Sequence, residues 1–215
     1  EGEIVLGVMG CPNWKISIAS DSAAEIQSDK DISSPLGMIM AAHVGCGTWK
    51  KRFSNKHDGF TSSSDGWTRC FVDECCLVPE ARFCCPDSQT WESMPLAKLL
   101  SATSNSLRTG DKEILLLSAC CGSLCKYLMV ASGRVSVFIQ RVRSDRTIKA
   151  WDHAVGQICV AEAGGKVTDW KGRELDFAED SVERRIIFPT DGILVTNGKL
   201  HNQIVDMIST NSAVA

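Results

Sequence analysis

Long apolar runs are missing from this sequence. None of its 215 residues lies in an uninterrupted apolar stretch near the ~20 residues that a membrane-crossing helix requires, so none is expected and no membrane partner is read. A basic excess is missing too. With a net charge of -3, the overall balance gives no indication of a surface built for nucleic acid. Cys-x-x-Cys spacing does not occur despite 11 cysteines, which argues against a zinc site. Internal repeats and low-complexity tracts are absent. No signal or transit peptide is visible, and Glu1 stands where an initiator Met would be.

What is present is ordinary for a soluble protein with a sizeable core: 44% hydrophobic and 23% charged residues. The length suits one domain or two small ones. The odd set of cysteines includes the adjacent pairs Cys75-Cys76, Cys84-Cys85 and Cys120-Cys121. Most fall in apolar runs such as LLLSACCGSLCKYLMV, where a thiol behaves as a small hydrophobe. Reduced, mostly buried thiols of an intracellular, reducing compartment are expected, with mitochondrion, plastid and cytosol all open.

EIVLGVMGCP reads as a strand stopped by Pro12, and GMIMAAHVGCGTWKK as a second strand with a Gly-rich turn after it. Together they suggest a hairpin-like pair with a long connection. Ser54 to Trp67 is rich in Gly, Ser and Asp and reads as a loop or domain boundary. Beyond it, strands and helices alternate, which argues for an α/β class. DKEILLLSACCGS and RVSVFIQRV read as strands. Between them, Ser123 to Gly133 reads as a helix with Leu124, Tyr127, Leu128 and Ala131 on one face and Gly133 as its stop. WDHAVGQICVAEAGG reads as a helix, Lys171-Gly172 as a turn, and GILVTNGKLHNQIVDMI as a strand followed by a helix from near Asn197.

Two residues of that WDH segment call for explanation. Asp152 stands where a helix N-cap should stand, and a capping role would be complete in itself. A metal-ligand role is the alternative. Glu162, in the helix's last turn, opposes the helix dipole and needs another partner. It is read as structural, bonding the amides of a neighbouring loop. Ser123 and Lys126 lie one turn apart on one helix face. On the residues alone they read as an N-cap and a solvated cation.

WDHAVGQICVAEAGGKVTD resembles the second signature of the inositol monophosphatase superfamily, W-D-x-A-x-G followed by E-A-G-G. LGVMGCPNW, GSLCKY and IKAWDHAVG are similar to segments of its 3'(2'),5'-bisphosphate nucleotidase branch, nearest to the plant members. WTRCFVDECC and PDSQTWES add to that likeness, which runs over nearly the whole chain. The resemblance implies a layered α/β/α/β/α sandwich. Residues 1–65 would end an antiparallel-sheet domain, residues 66–215 would form a smaller α/β domain, and the metal site would lie between them. It implies Mg²⁺-dependent, lithium-sensitive hydrolysis of the 3'-phosphate of 3'-phosphoadenosine 5'-phosphate (PAP) to AMP and phosphate. The phosphosulfate analogue PAPS is a second candidate substrate.

The same resemblance makes Asp152 a Mg²⁺ ligand that also touches substrate. It gives Ser123 and Lys126 to the nucleotide's second phosphate or ribose, and makes Arg141 the substrate-binding arginine of the following strand, with Gln140 as the alternative match. His153 is either turned to the nucleotide or a packing residue. An inositol phosphate phosphatase is the alternative enzyme, which Lys126 disfavours because a monophosphate offers it no second phosphate. A non-catalytic truncated product is the alternative outside the enzymes.

One departure is large. The family's first signature, D-P-[IL]-D-G-T, supplies most of the metal ligands and is not in this sequence, where Asp58-Gly59, Asp65-Gly66 and Asp191-Gly192 lack the preceding Asp-Pro-x. The chain is expected to begin just after that signature and to show little or no phosphatase activity as given. Apolar surface near Ile4 to Met9 is expected to be exposed.

Overall fold

The computed structural model describes residues 3–12, 37–52, 66–100, 102–104, 114–119, 122–143, 146–183 and 185–212. Twelve strands and three α-helices are built from them in the order β1 (Leu6–Cys11), β2 (Met38–His43), β3 (Gly47–Arg52), β4 (Thr68–Cys70), β5 (Arg82–Pro86), β6 (Ala102–Ser104), β7 (Ile114–Ala119), α1 (Ser123–Ala131), β8 (Val137–Arg141), β9 (Ile148–Lys149), α2 (Ala154–Glu162), β10 (Lys166–Asp169), β11 (Ile186–Ile187), β12 (Gly192–Thr196) and α3 (His201–Ser212).

The first sheet is antiparallel, in the order β1-β2-β3-β4. The expected hairpin of the first two strands is present, with Leu6 opposite His43 and Cys11 opposite Met38. The Gly-rich turn after β2 leads into a third strand, Gly47–Arg52, which the pattern of GCGTWKK does not announce. The residues read as a boundary loop lie outside the described residues up to position 65. The strand after them, Thr68–Cys70, still pairs with β3, so the first sheet continues to Cys70.

The second sheet runs β10-β12-β8-β5-β7-β6. Its β8, β5, β7 and β6 are parallel to one another, while β12 and β10 join antiparallel. Strand β9 pairs separately with β11.

Alternation decides the layers. In β1 the side chains read exposed, buried, exposed, buried along LGVMGC, which puts Met9 and Cys11 inward and Leu6 and Val8 outward. The inward set of the first sheet meets α1, α2 and one face of the second sheet in one core that includes Met40, Tyr127, Phe138, Ile158 and Val195. The opposite face of the second sheet packs on α3 through Phe83, Ile139, Leu194, Ile204 and Ile208. The described order is therefore sheet, helices, sheet, helix, in agreement with the layered α/β class. On the outside of the first sheet, Val5, Leu6 and Val8 are 58%, 59% and 61% exposed, as the apolar opening of the sequence led us to expect.

The expected helix between Ser123 and Gly133 forms and stops where it should. Gly133 has φ +71°, a conformation that a residue without a Cβ adopts at little cost. Its burial is wider than the one face anticipated, from Lys126 through Ala131, because α1 lies between two sheets. Helix α3 begins at His201, four residues after the expected start, because Asn197 and Gly198 form a turn in which Asn197 Oδ1 accepts the Leu200 amide. Strand β10, read only as the approach to a turn, pairs with β12 from Lys166↔Thr196 to Asp169↔Ile193. No described helix is long and apolar enough to cross a membrane. Among the described cysteines, Cys11, Cys70, Cys84, Cys85 and Cys159 are buried.

Candidate functional site

In a parallel sheet, the loops and helix starts at the carboxyl ends of the strands form a crevice. Here those ends are Pro86 of β5 and Ala119 of β7, which lie opposite one another, and Gln140-Arg141 of β8. Helix α1 begins four residues after Ala119, so Ser123 opens at that edge and the helix runs back along the sheet.

Ser123 is the first residue of α1 and half-buried. The N-cap position belongs to Gly122, with no side-chain cap, so the capping alternative for Ser123 falls away. Lys126, one turn later, is buried at 4% exposure, which removes its reading as a solvated cation. Its ammonium acts on the end of β5. Burial pushes the Cys85 thiol up, Lys126 partly opposes that, and Glu92 and Asp87 push it further up.

The next residue, Tyr127, is the chain's one tyrosine and is wholly buried. Its hydroxyl lies 2.9 Å from Nδ1 of His153, which is itself 2% exposed. The Tyr127 ring also meets the His153 ring edge-on at 5.7 Å and the Phe138 ring at 5.6 Å. Burial drives the Tyr127 hydroxyl's pKa far up and pulls His153 down to about 4, so the pair is neutral in the physiological range. His153 is thus a packing residue bonded to α1. Sequence reasoning placed Tyr127 on a helix face without its partner. The usable signal was that a buried tyrosine hydroxyl needs one.

Asp152 closes a short 3-10 turn, Ala150–Asp152, and α2 starts two residues later. The N-cap position is His153, without a side-chain cap bond, so the capping role expected of Asp152 is corrected. The 3-10 turn winds the chain one residue too early for Asp152 to reach the first amides of α2. Its carboxylate is exposed and makes no hydrogen bond or ion pair among the described residues. Exposed, unpaired carboxylate oxygens suit one position on a hard cation such as Mg²⁺. Among the described residues, no three His, Cys, Asp or Glu side chains gather into a metal-holding set. The donor set here fits a single ligand, and no hydrolytic step follows from it alone.

The Tyr127–His153 bond joins α1, the helix that carries Ser123 and Lys126, to the residue that follows Asp152. Arg141 is not brought to them. On β8 its neighbours Val137 and Ile139 belong to the α3-side core, whereas Phe138 belongs to the α1/α2 side. Arg141 shares the face of Ile139 and its guanidinium lies 5.5 Å from the centre of the Trp170 ring, itself part of the α3-side core. The odd–even phase of a strand decides this, and one position along the strand reverses the face.

At the far end of α2, Glu162 takes the structural part expected of it. Its Oε1 accepts the Gly45 amide at 3.1 Å and its Oε2 the Gly47 amide at 2.9 Å, which ties the β2–β3 turn to the helix.

Residues 1–212 match the profile of the inositol monophosphatase family. A protein of Arabidopsis thaliana that carries the name of a mitochondrial 3'(2'),5'-bisphosphate nucleotidase is 55% identical over 212 residues, which are 99% of this chain and 49% of that protein. A 3'(2'),5'-bisphosphate nucleotidase of Oryza sativa is 27% identical over 201 residues, 93% of this chain and 49% of that protein. The chain spans about half the length of the curated relatives it matches. Among solved structures, the IMPase of Thermotoga maritima aligns with a TM-score of 0.52 at 20% identity, over 82% of this chain and 53% of that one. SaIMPase-II with 2'AMP bound aligns at 0.52 and 14%, over 82% and 54%. At those identities the two structures speak for the fold.

Proposed function

On the premise that this chain belongs to the inositol monophosphatase family, we propose that it carries the nucleotide-binding half of a Mg²⁺-dependent 3'(2'),5'-bisphosphate nucleotidase acting on PAP, with PAPS as a second substrate. The observation that carries this reading is the buried Tyr127–His153 hydrogen bond, which holds the turn of Asp152 against the first turns of α1 where Ser123 and Lys126 stand. In this reading Asp152 is one metal ligand, and Lys126 and Ser123 receive the nucleotide's second phosphate or ribose. Mg²⁺ held there supplies charge neutralisation at the phosphoryl oxygens. The ligands of the D-P-[IL]-D-G-T signature, absent from these residues, belong to the complementary half of the site. A buried ammonium is of little use to an inositol monophosphate, which offers no second phosphate, so Lys126 favours the nucleotide. Buried thiols such as Cys70, Cys85 and Cys159 support a reducing, intracellular setting, and the name of the Arabidopsis relative supports a mitochondrial one.

The test joins residues 1–215 to the amino-terminal half of the Arabidopsis relative and measures phosphate release from PAP with Mg²⁺. Lithium-sensitive release is expected from the fusion, a loss of at least about a hundredfold from its Asp152→Asn form, and little or none from residues 1–215 alone. A folded fusion that binds AMP yet keeps full activity with Asp152→Asn overturns the proposal.

A further inference from the structure

The residue that β8 presents to the crevice is fixed by strand phase. Phe138 faces Tyr127, so Gln140, two positions on, shares that face, while Arg141 is turned to Trp170. A slip of one residue is blocked on both flanks. On one side, β8 pairs with β12 with Gln140 opposite Ile193 and Arg141 opposite Gly192. On the other, the Gln89 side chain grips the Arg141 backbone: Nε2 donates to its carbonyl at 2.8 Å and Oε1 accepts its amide at 2.9 Å.

The height of Gln140 follows from the Tyr127–Phe138 contact, because α1 and β8 run in opposite directions. Ser123 precedes Tyr127 by four residues, about 6 Å of helix rise. Gln140 follows Phe138 by two residues, about 6.6 Å of strand rise. Both displacements point to the carboxyl edge of the sheet, so the half-buried Gln140 side chain stands level with Ser123 at the mouth of the crevice.

We infer that Gln140 is a specificity-determining residue of this crevice, and that through it the site reads a nucleotide's 5'-group by hydrogen bonding rather than by its second negative charge. The inference rests on the nucleotidase reading. A carboxamide offers a donor and an acceptor but no charge, whereas a guanidinium at the same place would add a charge-assisted fork that favours a phosphate dianion. The arginine of this strand instead holds its guanidinium 5.5 Å from the centre of the Trp170 ring, on the α3 side of the sheet. The ligand class is therefore an adenosine 5'-phosphoryl compound whose phosphorus carries one negative charge, as in a phosphosulfate or a phosphodiester, accepted about as well as a free 5'-phosphate.

The probes are adenosine 5'-phosphate, a dianion at pH 8, and its methyl ester, a monoanion. Binding of each to residues 1–215 is followed by NMR titration, which needs no complete metal site. The two affinities are expected to agree within about threefold in the wild type. Gln140→Arg should shift their ratio about tenfold toward the dianion. Arg141→Gln should leave the ratio unchanged, and Gln140→Glu should weaken the dianion more than the ester. A wild-type preference of tenfold or more for the dianion overturns the inference, as does a preference that Arg141→Gln abolishes. If neither probe binds the folded wild type, the nucleotidase reading fails and this inference with it. If the ester and the dianion bind equally to all three variants, that reading stands and Gln140 has no part in specificity.

Discussion

Glu162 occupies a helix position where its charge is disfavoured, since the carboxyl end of α2 already presents partial negative charge. It is held by two amides of the β2–β3 turn, from a part of the chain more than a hundred residues earlier. Those bonds connect the first sheet to the helix that also starts beside Asp152. Replacement by Gln keeps the shape, removes the charge and sets an NH₂ group against one of the two amide donors. Glu162→Gln is expected to cost about 1–3 kcal/mol, read as a lower urea midpoint at unchanged slope. An unchanged midpoint would mean that the turn holds itself and that the carboxylate is incidental. Nothing in this effect depends on nucleotide, so it separates a structural acid from Asp152 at the other end of α2, whose replacement should leave stability within about 0.5 kcal/mol because the side chain is exposed and unpaired.

At the scale of elements, the packing of α1 against α2 sets the geometry of the crevice. The two helices approach closely at Gly156, where a Cβ would come within 2.4 Å of the Tyr127 ring. Gly156→Ala must push that ring aside, and with it the hydroxyl that holds His153. Overpacking of this kind costs about 1–3 kcal/mol. Loss of AMP binding should accompany it, whereas Ala161→Ser, on the exposed side of the same helix, should change neither. If Gly156→Ala binds AMP like the wild type, the contact between the two helices does not position the site.

How far such relations can be read in advance differs from element to element. The strand stopped at Pro12, the helix stopped at Gly133 and the bond partners of Glu162 were legible, because local chemistry dictates each of them. Short strands such as β4 and β10 were not, because three or four residues carry too little pattern and are fixed by neighbours distant in sequence. The face of Arg141 was missed for a related reason. Its phase depends on which residue of FIQR enters the core, and apolar residues on both sides of a twice-covered strand leave the pattern without alternation.

For the whole molecule, two buried imidazoles tie folding to pH. His153 is hydrogen bonded to Tyr127, and His201, at the start of α3, lies between the Thr168 and Thr196 hydroxyls at 3.1 and 3.0 Å. Burial pulls each pKa down from the ordinary 6.5 to about 4, with Lys166 adding its repulsion at His201. The unfolded chain, with both imidazoles near 6.5, takes up protons that the folded chain refuses. Stability is therefore full above about pH 6.5, declines as pH falls from there to about 4, and loses nothing further from these groups below that. The urea midpoint should drop between pH 7 and pH 5 at constant slope, while the NMR signals of the two imidazoles stay at their neutral positions over the same range. The two readouts are independent. A midpoint that falls while those imidazoles titrate near 6.5 would place the proton uptake elsewhere, and a flat midpoint with neutral imidazoles would mean that the unfolded chain also keeps them from water. Only the joint result assigns the acid sensitivity to the two layers in which these residues lie, one between the sheets and one beneath α3.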